Sequence, residues 1–216
     1  DLIEGKMADK GFTSMGFMEL GARQVTNSQR PIKTMADLKG LKIRMQPNET
    51  HLATFRALGA NPLAMDIKEV YSAMEQKVID GHENPYALIL TSRFNEVQKH
   101  LSNTAHFFDF IAVVANKKKF DGLSAEHKKI VQTAMSNAIK APGTTVAKLA
   151  LRTMATKADA ESLAELQKKG MTYTEMPASE REAMRKATAG VVDDVKKRVG
   201  GTLVDQVLDA VKKAGG

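Results

Sequence analysis

Between Leu41 and Gly81 the sequence switches twice from a short run with strand periodicity to a longer run with helical periodicity, which leaves few ways to fold. Leu41-Lys42-Ile43-Arg44-Met45 alternates, so Leu41, Ile43 and Met45 share one face of a strand and Lys42 and Arg44 the other. Pro47 and Asn48 then open a helix with Leu52, Phe55 and Leu58 as its apolar stripe and Gly59 near its end. Pro62-Leu63-Ala64-Met65 reads as a second strand, and Glu69 to Ile79 as a second helix closed by Asp80-Gly81. This order predicts a right-handed crossover and a mainly parallel sheet, in which ligands gather at the carboxyl ends of the strands. Arg44 lies at one such end.

Elsewhere the pattern is more helical. Thr34 with Asp37 predicts a short helix start and Gly40 its stop. The run from Phe107 to Ala115 is apolar and β-branched, which predicts a buried strand, with Lys117-Lys118-Lys119 at its end. Ser124 is placed to cap a helix with Ile130, Val131, Ala134, Met135, Ala138 and Ile139 as its stripe. Pro142-Gly143 would kink or break the chain before a second helix that runs toward Lys169 and stops at Gly170. Met171 to Met176 reads as one more strand. Ser179 with Glu182 predicts a capping box for a helix ending at Gly200-Gly201, and Leu203, Val207, Leu208 and Val211 line a final amphipathic helix.

Composition narrows the function classes. The chain has 216 residues, no Cys and no Trp, with 5% aromatics and 12 Met, so aliphatic side chains must build the core. Without Cys there is no disulfide scaffold, thiolate zinc site or cysteine nucleophile. No apolar run approaches the roughly 20 residues of a membrane span. The formal charge is +7, yet the lysines are dispersed among acids and lack interleaved aromatics, so a solvated surface is expected rather than nucleic-acid binding. His51, His82, His100, His106 and His127 show no metal-ligand spacing and read as surface or packing residues. No GxSxG, P-loop or GxGxxG is present, and no acid pair stands out, so neither a catalytic residue nor a cofactor is expected. The chain opens on Asp1-Leu2-Ile3-Glu4 instead of a Met-led leader, so either a signal has been removed or the sequence starts inside a longer protein.

Three segments, GARQVTNSQRPIKTMADLKGLKIRMQP, ALGANPLAMDIKEVYSAMEQKVIDGHENP and FNEVQKHLSNTAHFF, resemble the DctP-type substrate-binding proteins of TRAP (tripartite ATP-independent periplasmic) transporters. The likeness extends more weakly through Asn116 to the C-terminal helices. It implies an α/β, two-lobed periplasmic-binding-protein-like fold closing over an organic acid. It also implies that Arg44, from the GLKIR motif, forms a paired salt bridge with the ligand carboxylate, and that Asn84 of the DGxEN motif donates to the same group. Arg23, before the Thr-Asn-Ser element, would be a second cationic contact. Ile67 stands where the family often has a pocket-lining aromatic. A guanidinium suits such an anchor because its parallel donors fix orientation as well as charge.

The resemblance further implies that this chain holds the second lobe and part of the first. Residues 1–20 would be a remnant of lobe I and 21–109 the core of lobe II. Residues 110–149 would be a lobe I strand with the connecting long helix, and 150–216 a helical region packing mainly on lobe II. A family N-terminal part is absent, which predicts exposed apolar surface around Ile111, Val113 and Val114. The function expected is a non-enzymatic periplasmic receptor that delivers a small organic acid to TRAP membrane permease subunits. Such a receptor would need no cofactor or metal, would not bind nucleic acid, and would be a monomer when full length. The alternatives are a two-lobed sensor read by another membrane partner and, more distantly, a transferase-like enzyme on the same lobes.

Overall fold

A computed structural model describes residues 2–140 and 149–213. In chain order these form α1 (Leu2–Asp9), β1 (Phe12–Asn27), β2 (Lys42–Met45), α2 (Glu49–Ala57), β3 (Asn61–Ala64), α3 (Ile67–Glu75), β4 (Gly81–Asn84) and α4 (Tyr86–Thr91). There follow β5 (His100–Asn116), α5 (Lys117–Asp121), α6 (Ala125–Lys140), α7 (Leu149–Lys168), β6 (Thr172–Glu175), α8 (Ala178–Ala187), α9 (Ala189–Val199) and α10 (Gly201–Lys213). The expected α/β class is what the chain adopts. By contacts it divides into two compact units, one of residues 1–22 and 107–163, the other of 23–106 and 164–216. The polypeptide passes from one to the other inside β1, inside β5 and inside α7.

The larger unit carries the predicted crossover. β2 pairs in parallel with both β3 and β4, and β1 runs antiparallel to β4. The sheet order is β3-β2-β4-β1-β5-β6, with β5 and β6 parallel. Leu41, Ile43 and Met45 are buried with Leu52, Phe55 and Leu58, so the strand and helix stripes read from the sequence meet in one core. Asn48 caps α2 by accepting from the Thr50 and His51 N–H groups at 2.9 and 3.3 Å. Thr34 and Asp37 form the expected capping box, on a short 3-10 helix from Met35 to Leu38.

Several elements depart from expectation. The second helix starts at Ile67, two residues early, because Asp66 supplies the cap and shares a capping box with Glu69. It ends at Glu75, ahead of Ile79, where Lys77 takes a positive φ of 60°. Gly81 does not close a turn but begins β4. A Cβ there would lie 1.9 Å from the Thr26 carbonyl oxygen, so only glycine lets β4 approach β1. The helix expected from Ser179 to Gly200 is two helices, broken at Thr188, and its capping box does not form. Pro177 holds the cap position instead, while Glu180 accepts from the Met35 N–H at 2.8 Å. Lys117 to Lys119 open α5, and the Pro142-Gly143 break falls outside the described residues.

The smaller unit has little core. Its strand is present, but the expectation of burial is wrong for much of it: Phe108 is 60% exposed and Phe110 53%. Ile111 and Val114 are exposed too, as expected, with Val113 half-buried. On α6 only Ile139 of the predicted stripe is buried, and Ile130 is exposed.

Candidate functional site

The four residues singled out in the sequence all belong to the larger unit, and three of them meet at β4. Register sets Arg44 of β2 opposite His82 of β4, and Gln24 of β1 opposite Asn84. Alternation along a strand then puts Arg44, His82 and Asn84 on one face of the sheet. That face is opposite the row of Leu41, Ile43 and Met45.

Arg44 is 3% exposed. Its Nε donates to the Met65 carbonyl at 2.8 Å, which aims the guanidinium along the carboxyl ends of β2 and β3. Among the described residues no carboxylate lies within ion-pairing distance of it, and its terminal nitrogens have no protein acceptor. Its pKa is lowered, first by burial and further by the nearby Arg23 charge, against the attraction of Glu83 and Asp66. A buried cation with no counterion is costly, and an anion at its open end removes that cost.

Arg23 is differently placed. It is buried and spent on Glu83, to which Nε donates through a short bond and Nη2 at 2.7 Å. The same Nη2 reaches the Glu83 carbonyl at 2.8 Å and the Asn84 Oδ1 at 2.9 Å. Glu83 also accepts from His106 Nε2 at 3.1 Å, and the Thr104 hydroxyl lies 2.7 Å from His106 Nδ1. Burial would raise the Glu83 carboxyl, but the hydrogen bonds from His106 and Arg23 prevail and hold it near 2. The Arg23–Glu83 charges cancel, so Arg44 is the remaining net charge of the cluster.

Asn84 is fixed on two sides. Its Oδ1 accepts from Arg23, and its Nδ2 donates to His82 Nδ1 at 3.2 Å. One N–H of the amide is left over, on the sheet face that also carries Arg44. His82 is fully buried against Phe94, ring centroids 4.4 Å apart, and its Nε2 has no hydrogen-bond partner. Burial pushes its pKa down to about 3, so it is neutral. Ile67 opens α3, two residues beyond Met65, and is 40% exposed.

A hollow of about 360 Å³ in the same unit reaches His106, Thr104 and α8 but touches neither Arg44 nor Asn84. Sequence reasoning missed Glu83, His82 and His106. The acid beside Asn84 in DGHENP was the available signal for Glu83; His106 lies 23 residues further on, and only the fold joins them.

The profile of the DctP family, described as bacterial extracellular solute-binding protein, family 7, matches residues 2–198. The 2,3-diketo-L-gulonate-binding periplasmic protein YiaO of Escherichia coli is 42% identical over 138 residues, 64% of this chain and 42% of that protein. The C4-dicarboxylate-binding periplasmic protein DctP of Rhodobacter capsulatus is 32% identical over 215 residues, 99% of this chain and 60% of that one. The chain thus spans about half the length of these relatives. Among solved structures, the sugar acid binding protein DctPAm of Advenella mimigardefordensis, in complex with galactonate, superposes with a TM-score of 0.85 at 33% identity. The match covers 98% of this chain and 66% of that one. A TRAP periplasmic solute binding protein of Polaromonas bound to D-erythronate gives 0.81 at 32% identity, over 95% and 64%. On a profile match over nearly its whole length, the chain belongs to the bacterial extracellular solute-binding proteins of family 7, the DctP family.

Proposed function

We propose that the protein is a periplasmic receptor that binds a small organic acid by its carboxylate and hands it to the membrane subunits of a TRAP transporter. The observation that carries this reading is Arg44, a buried guanidinium with its terminal nitrogens unpartnered among the described residues. A carboxylate there makes two parallel charge-assisted hydrogen bonds, each worth about 1.5–3 kcal/mol net. Asn84 adds a neutral donor with no second charge to balance. Arg23 acts through Asn84, whose amide it orients, and lends positive potential that Glu83 tempers. Ile67 supplies an apolar wall.

The relatives are consistent with this assignment, since those with stated ligands bind organic acids, among them galactonate, C4-dicarboxylates, sialic acid and (S)-2-acetolactate. No helix among the described residues is long and apolar enough to cross a membrane. The two units correspond, on this reading, to one nearly complete lobe bearing Arg44 and part of a second. Binding and release of an unchanged acid need no general acid or base, so no enzymatic step is assigned.

The test is thermal denaturation of the natural full-length protein against a panel of organic acids, with Arg44→Ala in parallel. One acid should raise the midpoint, and the shift should vanish in the variant. No shift with any carboxylate would sink the receptor reading.

A further inference from the structure

The strand beside Arg44 carries an exposed hydrocarbon surface where a sugar-acid site would be expected to offer polar groups. Leu63 of β3 is in register with Arg44, so the two side chains leave the sheet on the same face. Met65, whose carbonyl holds the guanidinium, lies between Leu63 and Ile67 in sequence. Leu63 is 37% exposed and Ile67 40%, although each is large and apolar. The unpaired cation is thus bordered along β3 and the start of α3 by side chains that neither donate nor accept hydrogen bonds.

Charge at this end of the site is equally limiting. Arg23 is neutralised by Glu83, and Asp66, which caps α3 by accepting from the Lys68 N–H at 2.9 Å, adds only negative charge. Lys42 shares the Arg44 face but is exposed at the start of β2, away from the strand's carboxyl end, so a second ligand carboxylate would find no unpaired buried cation there among the described residues. A ligand hydroxyl turned toward Leu63 would give up water for methyl groups, which costs free energy with no compensating bond.

We propose that the ligand is a monocarboxylate with a branched aliphatic group on its first carbons, packed on Leu63 and Ile67, and that Leu63 sets this preference. This rests on the carboxylate-receptor reading and goes beyond it in naming the class of acid. Burying the branch against Leu63 favours it over a polyhydroxylated chain of equal charge, while the single unpaired guanidinium disfavours a dianion.

The experiment is isothermal titration of the natural full-length protein with 2-oxoisovalerate, D-erythronate and succinate, repeated on Leu63→Ser and Ile67→Ser. The branched acid should bind at least about tenfold more tightly than the other two, on the scale that a methyl-sized contact commands in an apolar pocket. Leu63→Ser should weaken it about tenfold while leaving erythronate within roughly twofold and the unliganded thermal midpoint unchanged. Ile67→Ser should act in the same direction and checks the result if the β3 change perturbs folding. Tighter binding of erythronate or succinate, or equal binding of the branched acid by wild type and both variants, overturns the inference and leaves the receptor standing. Failure of all three acids to bind wild type overturns the inference, and the thermal-denaturation panel then decides whether the receptor reading falls with it.

Discussion

At the scale of single residues, the site depends on which charges are paired. Arg44 was legible in the sequence because alternation put it on the face opposite the core row and near a strand end; its isolation from carboxylates was not, since that depends on Glu83 being taken by Arg23 and His106. Arg44→Lys keeps the charge but replaces a two-point contact with a point charge, so affinity for the cognate acid should fall about tenfold. Arg44→Ala should cost about 100-fold, both read by titration calorimetry, and equal effects would argue against a paired contact. His82 carries a separate prediction. Its pKa is about 3 when folded against an ordinary 6.5, so the unfolded chain takes up a proton that the folded chain refuses. Stability is therefore full above pH 6.5 and is lost as pH falls toward 3. His100, lowered by burial and by Lys99, acts in the same direction, whereas Glu83, held near 2, begins to cost stability only below 4.5. Between about pH 6.5 and 5 the loss from His82 should be about 2 kcal/mol by urea denaturation, and His82→Gln should flatten that slope.

Elements were legible where one face is apolar and illegible where buried residues are polar. The stripes of β2 and α2 gave their positions because water exclusion alone explains them. β4 was hidden because Gly81, His82, Glu83 and Asn84 read as a turn, and they are strand residues only because β1 and β2 flank them on both sides. Gly81→Ala should therefore be severe. Its Cβ would meet the Thr26 carbonyl at 1.9 Å, and the loss should be at least about 2–3 kcal/mol, or failure to fold, by chemical denaturation. On β5 the strain has the opposite remedy. Ala105 sits at a φ of 44°, with its N–H held by the Gln24 Oε1 at 2.9 Å. A left-handed alanine costs about 1–2 kcal/mol, and glycine returns part of that through greater freedom of the unfolded chain. Ala105→Gly should raise stability by about 0.5–1 kcal/mol, and a fall would show that the methyl packs better than the backbone suffers.

Across the whole molecule, apolar burial is divided unevenly. Of the 24 buried apolar side chains among the described residues, only Phe120 and Ile139 belong to the unit of residues 1–22 and 107–163. The larger unit holds the other 22, including fully buried Phe55, Ile43, Met45, Leu101 and Leu166. Stability follows buried apolar area, and local opening is cheapest where that area is least, so this chain should not unfold as one cooperative body. β5 makes the contrast measurable within one strand, because Leu101, Ser102 and Thr104 are buried whereas Phe108, Phe110, Ile111 and Val114 are exposed. In native-state hydrogen exchange of the 216-residue chain, amides of β2, β4 and Leu101 to Thr104 should exchange only through global opening. Amides from Phe108 to Val114 should exchange by an opening several kcal/mol cheaper, with little dependence on denaturant. Uniform protection along β5 would mean that the exposed face is covered in solution, and since the described residues supply no cover, self-association through Phe110 and Ile111 would be the source to check by sedimentation. In that event serine at both positions should restore the contrast while leaving the Arg44 face, built on the other unit, intact.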